Sequence, residues 1–393
     1  MVDRALLTGN QAAAHAARLA RIEVFPAYPI TPMSPLISTL AGFIDKGQSK
    51  AQFIRVESDH SAMAASIGSA AAGARTFTAS NSQGLALMHE VLFVASGLRL
   101  PIVMAVVNRA LSAPHCRFPD WGDAVAQEAS GWLQLYCENN QEVVDTIIQA
   151  FRISQDERVL LPIMVNYEGY ILGHTKEPVA LPDQVAVDAF LSPYNYAVVD
   201  VDHPVAINTA TSHEIYMEYK YAEHHAMLAA LPVIEEVSAG FWKSFGRDWD
   251  GAVEGYQTEG AQALVVTMGS MASTARVAVD NLRAEGFPVG LVKVRAFRPF
   301  PADELALLLG KAKAVAVVDR DIVYGVGGAL WREVIAALAA RRVGTPVQGY
   351  VAGLGGRDVN ASHLERVGQE ALSVGQGKAT VNPEARWVGL RGQ

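Results

Sequence analysis

Short apolar stretches that each run into a polar turn, with room for a helix between one stretch and the next, constrain this chain more than any other feature. Stretch 22–27 ends at Tyr28-Pro29-Ile30-Thr31-Pro32 and 51–56 at Glu57-Ser58-Asp59. Stretch 75–79 ends at Ser80-Asn81-Ser82-Gln83-Gly84, and 101–107 at Asn108-Arg109. A fifth, 159–165, follows a helical pattern over 141–155. Apolar strands separated by helices predict a parallel sheet covered on both faces, an α/β fold. Helices are expected over 10–20 and 61–74, the latter with Asp59 as N-cap.

A second α/β unit begins near residue 260, with strands at 264–268, 289–294 and 314–318 and a last strand running into Gly353-Leu354-Gly355-Gly356-Arg357-Asp358. Between the two units the character changes. Pro178, Pro182, Pro193 and Pro204 punctuate the stretch, and Tyr216, Tyr219 and Tyr221 call for burial. Three parts are therefore expected: an α/β domain over 1–170, a connector over 171–258 that packs on a neighbouring domain or subunit, and a second α/β domain over 259–393. Such a division suits a chain of 393 residues.

Composition excludes several classes. A net charge of −8 with no run of Lys or Arg argues against a nucleic-acid or anionic-membrane surface. No stretch reaches the roughly 18 continuous apolar residues of a membrane span, so a soluble, cytoplasmic protein is expected. Cys116 and Cys137 are the only cysteines, too few for an iron–sulfur cluster, which normally takes four thiolates. Electrons removed from a substrate here would have to leave through another chain.

The polar turn residues share an edge. Thr31, Glu57, Gln83 and Arg109 each follow the C-terminal end of a successive parallel strand, where open α/β sheets bind ligands. A hydroxyl, a carboxyl, an amide and a guanidinium would suit a small polar anion, with Arg109 on its carboxylate. Structural readings stand beside these: Thr31 bonding its own turn, Glu57 complementing a helix dipole, and Arg109 pairing with Asp120 or Asp123. Gly325-Val326-Gly327-Gly328 lacks the rest of a dinucleotide fingerprint and reads as a tight turn. His213-Glu214 has Met217 where a zinc-protease motif needs its second His.

Several runs resemble the alpha chains of the pyruvate:ferredoxin oxidoreductase family, the thiamine-diphosphate-dependent 2-oxoacid:acceptor oxidoreductases. They are Thr8-Gly9-Asn10-Gln11-Ala12, Tyr28 to Pro32, Val56-Glu57-Ser58-Asp59-His60, Ser82-Gln83-Gly84-Leu85-Ala86-Leu87-Met88-His89-Glu90, Asn108-Arg109-Ala110-Leu111-Ser112-Ala113-Pro114 and Glu138-Asn139-Asn140-Gln141-Glu142. Phe297-Arg298-Pro299-Phe300-Pro301 and Gly353 to Asp358 complete the set, in family order across nearly the whole chain.

The resemblance implies a transketolase-like domain that binds the pyrimidine of thiamine diphosphate, then a transketolase-C-like domain. It implies that Glu57 bonds the pyrimidine N1′, burial raising its pKa, while Pro29, Ile30 and Gln83 lie against the cofactor. Thr31 and Arg109 are then the substrate contacts. The diphosphate and its Mg2+ fall to a beta-type chain, since Gly122-Asp123 with Asn139-Asn140 is too short to be the diphosphate fingerprint. A gamma-type subunit and a ferredoxin-like subunit with 4Fe-4S clusters are implied as further partners, with coenzyme A as co-substrate. The acceptor (ferredoxin, flavodoxin, or NAD through a flavin subunit) is left open. The implied reaction is oxidative decarboxylation of a pyruvate-type 2-oxoacid to acyl-CoA. His115-Cys116-Arg117-Phe118-Pro119 departs from the apolar family pattern and keeps an aromatic acid such as phenylglyoxylate, or a branched-chain acid, in view. A non-catalytic scaffold subunit and a nucleotide-dependent dehydrogenase are the readings from other classes.

Overall fold

The computed structural model describes residues 4–194, 196, 198–200 and 202–392. The five expected strands of the first unit form at Val24–Ala27, Gln52–Arg55, Phe77–Ser80, Val103–Asn108 and Ile163–Glu168. Val103–Asn108 lies between Phe77–Ser80 and Ile163–Glu168, parallel to both. Val24–Ala27 pairs parallel with Gln52–Arg55 and meets the larger sheet through a parallel bridge from Val24 to Thr76. The Thr78 hydroxyl reinforces this join by donating to the Pro26 carbonyl at 2.8 Å. All residues of Val103–Asn108 and Ile163–Glu168 are buried, as a sheet covered on both faces requires.

Two helices show how sequence and packing meet. Gly9–Leu19 opens with a capping box between Thr8 and Gln11, and Ala12, Ala13, Ala14, Ala16 and Ala17 are fully buried along it. Such small side chains let helices Ser34–Asp45 and Asn140–Ser154 pack close on either side. The helix expected over 61–74 runs Asp59–Ala71, and its N-cap is Ser58 rather than Asp59. Ser58 accepts from the Ser61 N–H at 3.1 Å, which leaves Asp59 free to turn inward and accept from the Ser80 hydroxyl at 2.7 Å.

The second unit is a sheet in the order Arg386–Val388, Val347–Ala352, Ala314–Asp319, Ala263–Thr267, Val289–Val294, Val253–Tyr256, parallel except at the last pair. Val253–Tyr256 lies inside the stretch read as a connector. The rest of that stretch holds Lys176–Ala180, paired antiparallel with Arg4–Thr8, and a 30-residue helix, Tyr216–Phe245. Within this chain the expected burial is met by Phe190 and Phe241 but not by the tyrosines. Tyr216, Tyr219 and Tyr221 are exposed, because the buried stripe of the helix (Ala226, Ala230, Val233, Ile234, Val237 and Phe241) begins only after them.

The two units are joined by more than a linker. Immediately after Val289–Val294 the chain enters the first sheet, where Ala296–Arg298 pairs antiparallel with Leu133–Tyr136, itself parallel to Ile163–Glu168. Arg295, at the crossing, is fully buried and donates to Glu142 at 3.1 Å, Thr146 at 2.9 Å and Gln149 at 3.1 Å. Lys293, also buried, reaches Glu142 at 2.9 Å and Glu138 at 3.0 Å. Charges this deep are tolerated only when paired, and these pairs run between the two units. Among the described residues, no helix is long and apolar enough to cross a membrane.

Candidate active site

Parallel pairing in register brings the four polar turns to one edge, because each strand delivers its following loop to the same side. The best-defined member is Arg109, which is 6% exposed. Its Nη1 donates to the Thr31 carbonyl at 2.8 Å and its Nε to the Cys116 carbonyl at 3.3 Å. Nη2 has no partner among the described residues and is not sealed from solvent. The guanidinium thus ties the loop after the first strand to the loop after the fourth and keeps one nitrogen free. Neither Asp120 nor Asp123 pairs with it.

Thr31 is exposed beside it, as are Tyr28 and Pro29, with Ile30 half-buried. Gln83 donates to the Ser112 hydroxyl at 2.9 Å, which lies 3.4 Å from His115 Nδ1. Part of the departing segment 115–119 therefore stands next to the Gln83 turn.

Glu57 differs from expectation in its surroundings. It is exposed in this chain, so burial does not raise its pKa. The Ser61 hydroxyl, donating at 2.5 Å, and the residue's own backbone hold its carboxyl below the usual range. Its turn is nonetheless packed against the Gln83 turn. A Cβ on Gly84 would sit 2.5 Å from Asp59 Cγ, so only glycine allows the two turns to meet this closely.

A residue that the sequence offered as a partner for the Arg109 side chain, and in a fingerprint too short to stand, organises the edge. Asp123, fully buried, accepts from the Ser82 N–H at 2.8 Å and the Arg109 N–H at 3.0 Å through Oδ2. Through Oδ1 it accepts from Asn108 Nδ2 at 2.9 Å and the Ala124 N–H at 2.8 Å. Burial pushes its pKa up to about 6, against the pull of these donors. Nothing in the local sequence marks a carboxylate whose donors lie 14 and 41 residues away.

The second unit braces the same edge. The Gly356 N–H donates to the Pro119 carbonyl at 2.7 Å and the Gly355 N–H to Asp120 at 3.2 Å. The thiol of Cys116 lies 3.5 Å from the Gly355 carbonyl. The late glycine-rich motif therefore supports the loop that holds Arg109.

The crevice where the second sheet reverses its strand order is filled from the first unit. Glu168, 1% exposed, accepts from Trp121 Nε1 at 2.9 Å and from the Ser270 N–H at 3.1 Å. Gly269 is required there, since a Cβ would lie 2.5 Å from Glu168 Oε1. Helix Ala329–Ala340, which follows the glycine-rich turn, has Asp319 and Asp321 accepting from its first N–H groups at 2.7 to 3.1 Å. Val323 and Gly327 close that turn by pairing their backbones. Both positions where a nucleotide phosphate would dock are occupied by the chain's own carboxylates, which tells against the dehydrogenase reading. The described residues contain no group of three His, Cys, Asp or Glu side chains placed to hold a metal ion.

Comparison with known proteins identifies the family. Residues 15–239 match the family model described as pyruvate flavodoxin/ferredoxin oxidoreductase, thiamine diP-bdg, and residues 261–364 match pyruvate:ferredoxin oxidoreductase core domain II. Pyruvate synthase subunit PorA of Pyrococcus horikoshii is 46% identical, the alignment covering 100% of this chain and 99% of that protein. Ketoisovalerate oxidoreductase subunit VorA of the same organism is 41% identical, with 98% of each covered. A 2-oxoglutarate:ferredoxin oxidoreductase from Magnetococcus marinus, solved with 2-oxoglutarate, coenzyme A and succinyl-CoA bound, shares the fold with a TM-score of 0.75. It is 18% identical, and the match spans 94% of this chain and 65% of that one. On the full-length relatives and the two consecutive family models, this chain belongs to the pyruvate flavodoxin/ferredoxin oxidoreductase family, as an alpha-type subunit of a 2-oxoacid oxidoreductase.

Proposed function

We propose that this chain supplies the pyrimidine-binding half of a thiamine diphosphate site and the 2-oxoacid contacts of a CoA-acylating pyruvate oxidoreductase. The observation that carries the reading is the shared edge. An open carboxylate at Glu57 and a braced guanidinium at Arg109 stand on loops that pack against one Gln83 turn. The exposed Glu57 carboxylate fits the cofactor's pyrimidine, since it is an acceptor whose pKa lies below the usual range and which has one hydroxyl partner to give up.

Thiamine diphosphate, when bound, supplies the stabilised carbanion that loss of carbon dioxide from a 2-oxoacid requires. Glu57 would hold the aminopyrimidine at N1′ and carry the proton there. Closure of the site by a second chain would raise the carboxyl's pKa by desolvation toward that task. Pro29, Ile30 and Gln83 would line the ring. Arg109 would take the substrate carboxylate with Nη2, and Thr31 would lie by the oxo group. Overall, a 2-oxoacid anion and a thiol give the thioester, carbon dioxide, a proton and two electrons.

The diphosphate, its Mg2+ and the 4Fe-4S clusters that receive the electrons are assigned to beta-type, gamma-type and ferredoxin-like chains, in keeping with the two cysteines here, too few for such a cluster. The names of the 46% identical relatives favour pyruvate as the acid.

The test uses the complex co-expressed with its partner chains and a panel of pyruvate, 2-oxoisovalerate and phenylglyoxylate. Pyruvate should give the highest kcat/KM, with no turnover when thiamine diphosphate or coenzyme A is left out. Glu57→Gln should slow exchange of the coenzyme C2 proton about 100-fold or more, the usual contribution of a positioned base. Wild-type exchange in that variant ends the assignment of Glu57.

A further inference from the structure

Asp123 hydrogen-bonds neither the Arg109 guanidinium nor the Gln83 side chain, yet it holds the backbone of the loops that carry them. Its Oδ2 takes two main-chain N–H groups at once, one from Ser82 in the Gln83 turn and one from Arg109 itself. Its Oδ1 takes the Asn108 amide and the Ala124 N–H. All four partners are donors, and two carboxylate oxygens offer about four acceptor positions, so the demand is met.

The loops have other ties, and these converge on the same point. Ser82 Oγ donates to the Ala110 carbonyl at 2.7 Å, and Asn108 is fully buried. Asp120 and Tyr136 are titratable groups electrostatically coupled to Asp123, and among the described residues neither hydrogen-bonds to it.

We propose that Asp123 is a positioning residue that locks the Gln83 turn and the Arg109 loop into one unit. The free nitrogen of the guanidinium then stands at a set distance from the cofactor-facing loop before substrate arrives. This inference rests on the roles proposed above for Gln83 and Arg109. A near-isosteric change exposes the role. Asparagine at 123 has one oxygen and one NH2, so whichever way it is turned, an NH2 faces N–H donors. If the NH2 replaces Oδ2 it meets the Ser82 and Arg109 N–H groups. If it replaces Oδ1 it meets the Asn108 amide and the Ala124 N–H.

The experiment compares the assembled wild-type complex with Asp123→Asn and Asn108→Ala. In Asp123→Asn the KM for pyruvate should rise about 10-fold or more, the scale of losing a hydrogen bond to a charged group. Exchange of the coenzyme C2 proton, which depends on Glu57, should stay within about 2-fold. A general structural defect would raise KM and slow the exchange together. Hydrogen–deuterium exchange should show peptides containing Ser82 and Arg109 losing protection while the Ile163–Glu168 strand keeps it.

A variant complex with unchanged KM and intact protection at those two amides overturns the proposal. Should Asp123→Asn fail to assemble, Asn108→Ala decides, because it removes one of the four donors and leaves the carboxylate. A KM increase of about 3-fold supports the proposal, and an unchanged KM overturns it. Failure of the underlying reading looks different: the wild-type complex would itself show no thiamine-dependent turnover.

Discussion

Replacing Arg109 tests the substrate site most directly, and its geometry sets the size of the effect. The guanidinium is 6% exposed and spends Nη1 on the Thr31 carbonyl and Nε on the Cys116 carbonyl, leaving Nη2 for a ligand. Arg109→Ala removes the charged contact to the substrate carboxylate, worth about 1.5–3 kcal/mol, or roughly 10- to 150-fold in KM. It also strips the Thr31 and Cys116 carbonyls of their donor, so the two loops loosen and the upper part of that range is expected. Arg109→Lys separates these contributions. It restores a cation, but one ammonium at the end of a flexible stem does not reproduce a planar fork on two carbonyls. An intermediate KM increase, about 10-fold, is expected for it. Initial rates of the assembled complex against pyruvate concentration, with a one-electron dye as acceptor, measure both. A ground-state contact should change KM far more than kcat. If Arg109→Ala leaves KM within about 2-fold of wild type, the carboxylate does not bind there and the alignment of the four turns loses its functional meaning.

The buried network between the sheets makes two further predictions. Glu142→Gln leaves Arg295 and Lys293 short of a counter-charge at a site with no solvent access, which should cost about 3–5 kcal/mol in urea unfolding. A loss below about 1 kcal/mol would show that the network does not hold the sheets together. Acid titration tests Glu138 in the same network. Burial opposes its charge, but Arg276 and Lys293 outweigh that and hold its carboxyl down at about 2. A depressed pKa gives stability that is complete above the ordinary value near 4.5 and lost as pH falls toward about 2. Glu138→Gln should therefore flatten the stability–pH curve in that window by at most about 3 kcal/mol, and an unchanged slope would refute the assignment.

Local chemistry made the strand–helix alternation and the residues of the ligand edge legible in the chain itself. A strand end, a turn and a helix start are written within a few residues of one another, so the sequence alone puts Thr31, Glu57, Gln83 and Arg109 on one edge. Parallel pairing then leaves no freedom about which side they face. Contacts between residues far apart were a different matter. Ala296–Arg298 is three residues long with no period of its own, and becomes a strand only because Leu133–Tyr136 offers it an edge. Asp123 and Glu168 read as ordinary acids until their amide partners, brought from loops up to about a hundred residues away, are seen around them. The exposure of Glu57 was equally invisible, since burial is a property of the packed surface and not of the turn that carries the residue. Local sequence determined which groups exist and which edge they share, whereas folding decided which of them are buried, braced or left free, because that depends on what the rest of the chain places around them.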